Sequence, residues 1–373
     1  MRKLLMLSAL FLASIAVFAA EERLVSYVPS DTNVIFYLNT QRLLDTELIK
    51  EVRAQDVHLD NVIDGIQYHE SKLGIEDAVR AILVCRETSK AVTSFYIVNT
   101  VVPEERFGEV FVADYAFFNT IETKEVSLRA GQRPITYYEL TRKRTPGKKY
   151  GAYYVTPNVV TIFHIENEND DSEVKEVINT MRRRMPVRGE VAKALETMDT
   201  DAIAGLVAGL RRRGQESVYD SWDPRFDGVE FVEITFDLVG DEEQDIYILA
   251  RFYCKGLPLI GGATVRGESP AATFINTLRT ERDAWLEDHF PGEYNEDRNE
   301  IGKCIKLTLS DHRVDMEIRM PAAVYRELRD AHPTIATDML TMLTSVFQLD
   351  DSGVSSSAPA VQSTAPVSAT ELF

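Results

Sequence analysis

The side chains best suited to chemistry in this chain are arginines set against an acidic background. They fall in three runs: "RKRTPGKK" from Arg142 to Lys149, "RRRMPVR" from Arg182 to Arg188, and "RRR" from Arg211 to Arg213. A guanidinium presents a planar fork of donors that matches the oxygens of a carboxylate or a phosphate. Arg142, Arg144, Arg182, Arg183, Arg184, Arg211 and Arg212 are therefore the candidates for holding an anion or an acidic partner. If they act together, Arg142, Arg183 and Arg212 should converge on one face. The competing role is dispersed surface charge, and Arg182–Arg184 also end a helical pattern, where the helix dipole favours cations.

Other constellations argue against catalysis by local motifs. There is no G-x-S-x-G elbow, no H-E-x-x-H and no G-x-x-x-x-G-K-[ST] loop. "TPGKKYG" lacks the upstream glycine and the Ser/Thr of a phosphate loop, and "GLPLIGGATVRG" does not match G-x-G-x-x-G. His58, His69, His164, His289, His312 and His332 are scattered, with no pair at helical spacing. The acidic run "ENENDDSE" supplies oxygens without the alternating ligands and turn glycine of a calcium loop, and reads instead as a solvated loop; "DSWDPRFDGVE", with Asp220, Asp223, Asp227 and Glu230, is the second calcium candidate. Tyr137, Tyr138, Tyr153 and Tyr154 sit in strand patterns, where aromatics serve the core and cross-strand pairs. No catalytic residue, metal or cofactor is expected.

The elements that would position these residues alternate between two periodicities. "VPSDTNVIFYLNTQRLLDTELIKEV" reads as a strand over Thr32–Leu38, then a helix from Thr40 to Ala54 capped by Asn39 or Thr40. A second helix is expected over Asp60–Leu73, then strands in "AVRAILVCRE" and "TSFYIVNTVV", a short helix over Glu104–Val112, and a strand in "PITYYEL". "GAYYVTPNVVTIFHI" is a hairpin turning at Pro157-Asn158. Ser172–Arg184 is a helix with Val174, Val177, Ile178 and Met181 inward. The later chain repeats this order: "AIAGLVAGL", paired strands in "VEFVEITFDL" and "QDIYILARFYC", and a helix opened by Ser269-Pro270. A hairpin through "KCIKLTLSDHRVDMEIRM" and closing helices complete it.

The fold class expected is α+β, as two pseudo-repeated lobes, each a mainly antiparallel sheet covered by helices. The boundaries are 1–20 for a signal peptide, 21–188 and 189–349 for the lobes, and 350–373 for a disordered Ser/Ala/Pro-rich tail. Residues 1–20 carry two cations, an apolar run and small residues, the pattern of a secretory leader. Net charge is −18, and losing Arg2 and Lys3 with the leader leaves 59 acids against 39 bases. Such acidity disfavours nucleic acid as a partner. No transmembrane segment is expected in the mature chain. Cys85, Cys254 and Cys304 all fall in strand patterns, their spacings fit no zinc motif, and a Cys254–Cys304 bridge is one option for an exported protein.

The opening stretch from Val28 to Val52, with its Pro-Ser-Asp start, "YLN" strand end and Leu-rich helix, resembles a group of uncharacterised exported bacterial proteins. In that group a signal peptide precedes two strand–helix halves, the second matching here from Glu196 onward. The resemblance implies an exported α+β protein and brings no site residue. The expected function is therefore a non-catalytic, periplasmic or secreted envelope protein that binds a protein or a small ligand. The alternative is a secreted hydrolase whose site is assembled from residues distant in sequence. Intact-mass measurement of the exported protein should place the new N-terminus at Ala20 or Glu21, and an uncleaved leader would end the secretory reading.

Overall fold

The computed structural model describes residues 24–30, 32–46, 75, 78–86, 94–107, 118–142, 149–165, 171–183, 187, 190–209, 228–240, 244–256, 259–260, 263–264, 269–292 and 296–331. The chain divides into two compact units, Met1–Tyr37 with Lys72–Thr197, and Leu38–Ser71 with Met198–Phe373. Both are sheet-rich α+β bodies. Among the described residues no helix is long and apolar enough to cross a membrane.

The first unit's strands are β1 (Val34–Asn39, its last two residues in the second unit), β2 (Val79–Arg86), β3 (Ser94–Thr100), β4 (Phe118–Val126), β5 (Ile135–Arg142), β6 (Lys149–Thr156) and β7 (Val159–Ile165). Their order is β1-β2-β3-β7-β6-β5-β4, with β2 to β7 paired antiparallel. Pro157 and Asn158 make the two-residue turn between β6 and β7 that the sequence suggests. A hairpin this tight fixes the register, here Tyr153 opposite Thr161 and Tyr154 opposite Val160.

One face of this sheet is covered by α2 (Ser172–Arg183), which packs on β6 and β7. Val174, Val177, Ile178 and Met181 recur at i, i+3, i+4 and i+7, and all four are buried. At about 1.5–3 kcal/mol for each buried side chain, this stripe suffices to hold the helix down. A further short helix, α3 (Glu190–Thr197), has no counterpart in the sequence reading. On the opposite face Phe107 packs against Tyr138 and Tyr154, with ring centroids 4.8 and 5.6 Å away. Phe107 follows a 3-10 turn, Glu104–Arg106, where the sequence suggests an α-helix to Val112; residues 108–112 lie outside the described residues.

The second unit orders β8 (Ala204–Gly209), β9 (Val229–Val239), β10 (Asp245–Cys254), β14 (Arg313–Met320) and β13 (Ile305–Ser310) side by side, all antiparallel. The glycine-rich segment between β10 and the next helix forms a two-stranded hairpin, β11 (Leu259–Ile260) with β12 (Ala263–Thr264). One face of the larger sheet carries Ile248, Phe252 and Ile318, covered by α4 (Pro270–His289) and α5 (Glu296–Cys304). Ser269 caps α4 by accepting from the Ala272 N–H at 3.1 Å, with Pro270 at the first helical position. In α1 (Thr40–Asp45) the cap is Asn39, whose Oδ1 accepts from the Arg42 N–H at 3.0 Å. Helix α6 (Ala322–Ala331) follows β14.

Three expectations need amending. Cys304 closes α5 rather than opening a strand. All three thiols are free, so Cys254 and Cys304 form no bridge. The helix expected over Thr40–Ala54 stops at Asp45, with Thr46 already extended, while the expected helix at Asp60–Leu73, the second closing helix and the tail lie outside the described residues.

Gly151 sits opposite Phe163, whose ring lies flat over the glycine. A Cβ there would fall 2.6 Å from Phe163 Cε2 and 3.0 Å from Cε1, and Phe163 is itself fully buried and cannot retreat. Gly151→Ala should therefore lower unfolding stability by about 1–3 kcal/mol, the usual cost of overpacking. Adding Phe163→Leu should make the pair less costly than the two changes separately. Urea denaturation of the four proteins checks this, and strict additivity would contradict it.

Candidate functional site

The first unit carries an open groove of about 510 Å³ lined by Pro134, Ile135, Tyr153, Val155, Met181 and Arg182. Strand alternation builds it. Tyr153 points to the α2 side of β6, and Val155, at the bulge between Tyr154 and Thr156, joins it in the lining, whereas Tyr154 points the other way into the core, where its hydroxyl donates to the Val102 carbonyl at 3.0 Å. Helix periodicity does the same on α2: Met181 faces the sheet fully buried and forms the floor, while Arg182 is carried to the rim, exposed. Ile135 opens β5 and Pro134 precedes it, so the groove lies where α2 ends over the start of β5 and the end of β6.

Its polar side chains are those of Tyr153 and Arg182. Arg182 has no carboxylate within ion-pair distance among the described residues. By contrast Arg42, Arg251, Arg282, Arg298, Arg313 and Arg319 each pair with one, Asp237, Glu233, Asp283, Glu287, Asp315 and Asp245 respectively. Burial raises the pKa of the Tyr153 hydroxyl, with Arg182 pulling it the other way, so the hydroxyl stays protonated and can donate. Further along the same face Lys149 pairs with Glu139 at 3.2 Å and Lys124 with Glu122 at 2.8 Å.

Of the arginines singled out in the sequence, Arg182 and Arg183 are both exposed on the last turn of α2. Arg142 ends β5. Arg144, Arg184, Arg211 and Arg212, together with the side chain of Arg142, lie outside the described residues, and with them the expected convergence of the three runs. The structure adds what no motif indicated, the groove beneath Arg182.

A second constellation, missed in the sequence, occupies the polar face of the second unit's sheet. Glu233 is 1% exposed, yet it faces away from the apolar side. Its carboxylate accepts from Arg251 Nη1 at 2.9 Å and from the Tyr253 hydroxyl at 3.2 Å. Tyr253 stacks on Phe231 with centroids 4.0 Å apart, and the Arg313 guanidinium lies 5.8 Å from the Tyr253 ring centroid. Arg313 Nη2 donates to Asp315 Oδ2 at 2.8 Å, while Nε lies 2.7 Å from Oδ1 without the alignment of a hydrogen bond. Burial raises the Tyr253 pKa, and the neighbouring Glu233 charge raises it further. Two acids and two guanidiniums cancel, so the network spends its charges on itself and serves register rather than ligand binding. The acids of β9 and Arg251 of β10 are visible in the sequence, but only the register that sets Arg251 against Glu233 makes them a pair.

The remaining candidates stay apart from the groove lining. His164 packs beside Tyr150 on β7, His289 stacks on Trp285 with Nδ1 2.9 Å from the Trp285 carbonyl oxygen, and His312 turns between β13 and β14. Burial pushes the Cys85 thiol well up and the Cys254 thiol up to about 11; neither is suited to nucleophilic work near neutral pH. Among the described residues no cluster of three or more His, Cys, Asp or Glu could hold a metal ion.

No protein-family model and no curated protein matches this chain. Among solved structures it is similar to crystal forms III, I and IV of TP0453, at 9%, 11% and 10% identity. The matches cover 82%, 84% and 82% of this chain and 97%, 98% and 95% of theirs, with TM-scores of 0.40, 0.39 and 0.39.

Removing Glu233 alone should expose the cost of its network. Glu233→Ala leaves Arg251 half-buried without its carboxylate and is expected to lower stability by about 2–4 kcal/mol. Replacing both members with leucine should recover most of that loss. Chemical denaturation measures both, and a Glu233→Ala protein as stable as the parent would refute the structural role.

Proposed function

We propose that this is an exported, non-catalytic envelope protein, periplasmic or secreted, that binds a small ligand or a partner through the first unit's groove. The leader pattern of residues 1–20 supports export. The observation that carries the binding reading is the groove, an open depression floored by Met181, with Tyr153 and Arg182 among its lining. The hydrolase alternative requires at least two of His, Asp, Glu or Cys to converge in a concave site. The groove lining contains none of these types.

The proposal extends to architecture, with the chain as two pseudo-repeated lobes. Supporting this, each unit has a tight hairpin, β6–β7 or β13–β14, followed by a helix, α2 or α6. In both, the hairpin's two-residue turn leaves little freedom in how the strands register.

Native mass spectrometry of the protein recovered from the extracytoplasmic fraction tests the binding reading. A non-covalent adduct is expected on the parent and should be lost in Val155→Trp, which fills the groove. An adduct retained equally by Val155→Trp, or absent from both, would rule out the groove as the binding site.

A further inference from the structure

Building on that reading of the groove, we propose that it holds the oxyanion of a small ligand, a carboxylate or a phosphate, between the Arg182 guanidinium and the Tyr153 hydroxyl. Three features of the first unit point there. The chain is strongly acidic, and the arginines paired above have their charge cancelled by a neighbour; Arg182 stands over a cavity without such a partner among the described residues. The helix dipole explains a cation in the last turn of α2, but it does not explain a groove beneath that cation. Arg183, the next residue, is equally exposed and lines no part of the groove, so helix periodicity has singled out one of two adjacent arginines.

The second donor comes from the sheet. Tyr153 is partly buried and lines the same groove as Arg182, with its hydroxyl within the electrostatic reach of that guanidinium. Its phenol stays protonated near neutral pH because burial resists ionisation. A cationic fork and a neutral hydroxyl donor together suit an acceptor-only group with more than one oxygen. They suit a cationic or purely apolar ligand poorly. Pro134, Ile135 and Val155 then offer surface to an apolar portion attached to the oxyanion. A free phosphate would use the two donors and leave that surface unused.

The experiment is a titration of protein labelled with ¹⁵N-arginine, following the Arg182 Nε–Hε signal, with inorganic phosphate in one arm and benzoate in the other. Saturation by benzoate identifies a carboxylate carried on an apolar body, and saturation by phosphate alone identifies the free ion; either supports the oxyanion class. Arg182→Ala should weaken binding about tenfold or more, and Tyr153→Phe about threefold, as expected for charge-assisted and neutral hydrogen bonds respectively. The proposal is overturned if neither probe saturates the signal, or if Arg182→Ala binds as tightly as the parent. It is also overturned if the adduct recovered from cells survives Arg182→Ala, an outcome under which the groove remains a binding site for another class of ligand. Loss of the adduct in Val155→Trp alone separates that case from failure of the groove itself.

Discussion

The register of the β6–β7 hairpin is the constraint on which the first unit depends. Two residues, Pro157 and Asn158, close the turn, and beyond the bulge at Val155 the side chains from Lys149 to Tyr154 are each committed to one face. Neighbouring tyrosines thereby receive opposite assignments: Tyr154 is locked into the core beside Phe107, and Tyr153 forms a wall of the groove. A slip of one residue would exchange them and bring Tyr150 or Ala152 opposite Phe163, where Gly151 leaves room for the ring. The hairpin, the helix above it and the groove thus stand or fall as one arrangement.

Charge is handled differently in the two units. The second unit places opposite charges on facing strands and lets them neutralise each other, as in Arg251 with Glu233 and Arg319 with Asp245. Because Arg319 is solvent-exposed and Asp245 only partly buried, that pair contributes little beyond register. The Glu233 carboxylate is different, since burial makes its loss costly. In the first unit Lys149 pairs with Glu139 across strands and Lys124 with Glu122 along one strand, whereas Arg182 at the groove rim has no carboxylate partner among the described residues.

Much of this framework was legible in the amino-acid sequence, because it rests on periodicity. The spacing of Val174, Val177, Ile178 and Met181 marks α2 and its buried face correctly, and both tight hairpins announce their turns. Elements with little apolar content escaped. β4 reads Phe-Asn-Thr-Ile-Glu-Thr-Lys-Glu-Val, an edge strand whose pattern is largely polar, and α5 buries Ile301 within a charged run. The candidate site was half legible. Arginine runs stand out in an acidic chain, but which arginine overhangs a cavity depends on where α2 ends relative to β5, and no local pattern encodes that. Glu233 was hidden for a related reason: its partner lies 18 residues away across a register set by the whole sheet.

The path of the chain through the second unit carries a consequence for how the protein matures. Leu38 to Thr46 belong with residues beyond Met198, and Arg42 reaches Asp237 across 195 positions. Closing a loop of that span costs on the order of 5 kcal/mol of chain entropy before any contact repays it. A polypeptide emerging from its N-terminus must therefore keep the α1 segment waiting, its leucines uncovered, until β8 and β9 have followed. The intervening first unit can assemble in that interval, which makes order of emergence, as much as final stability, a determinant of whether this chain reaches its native state.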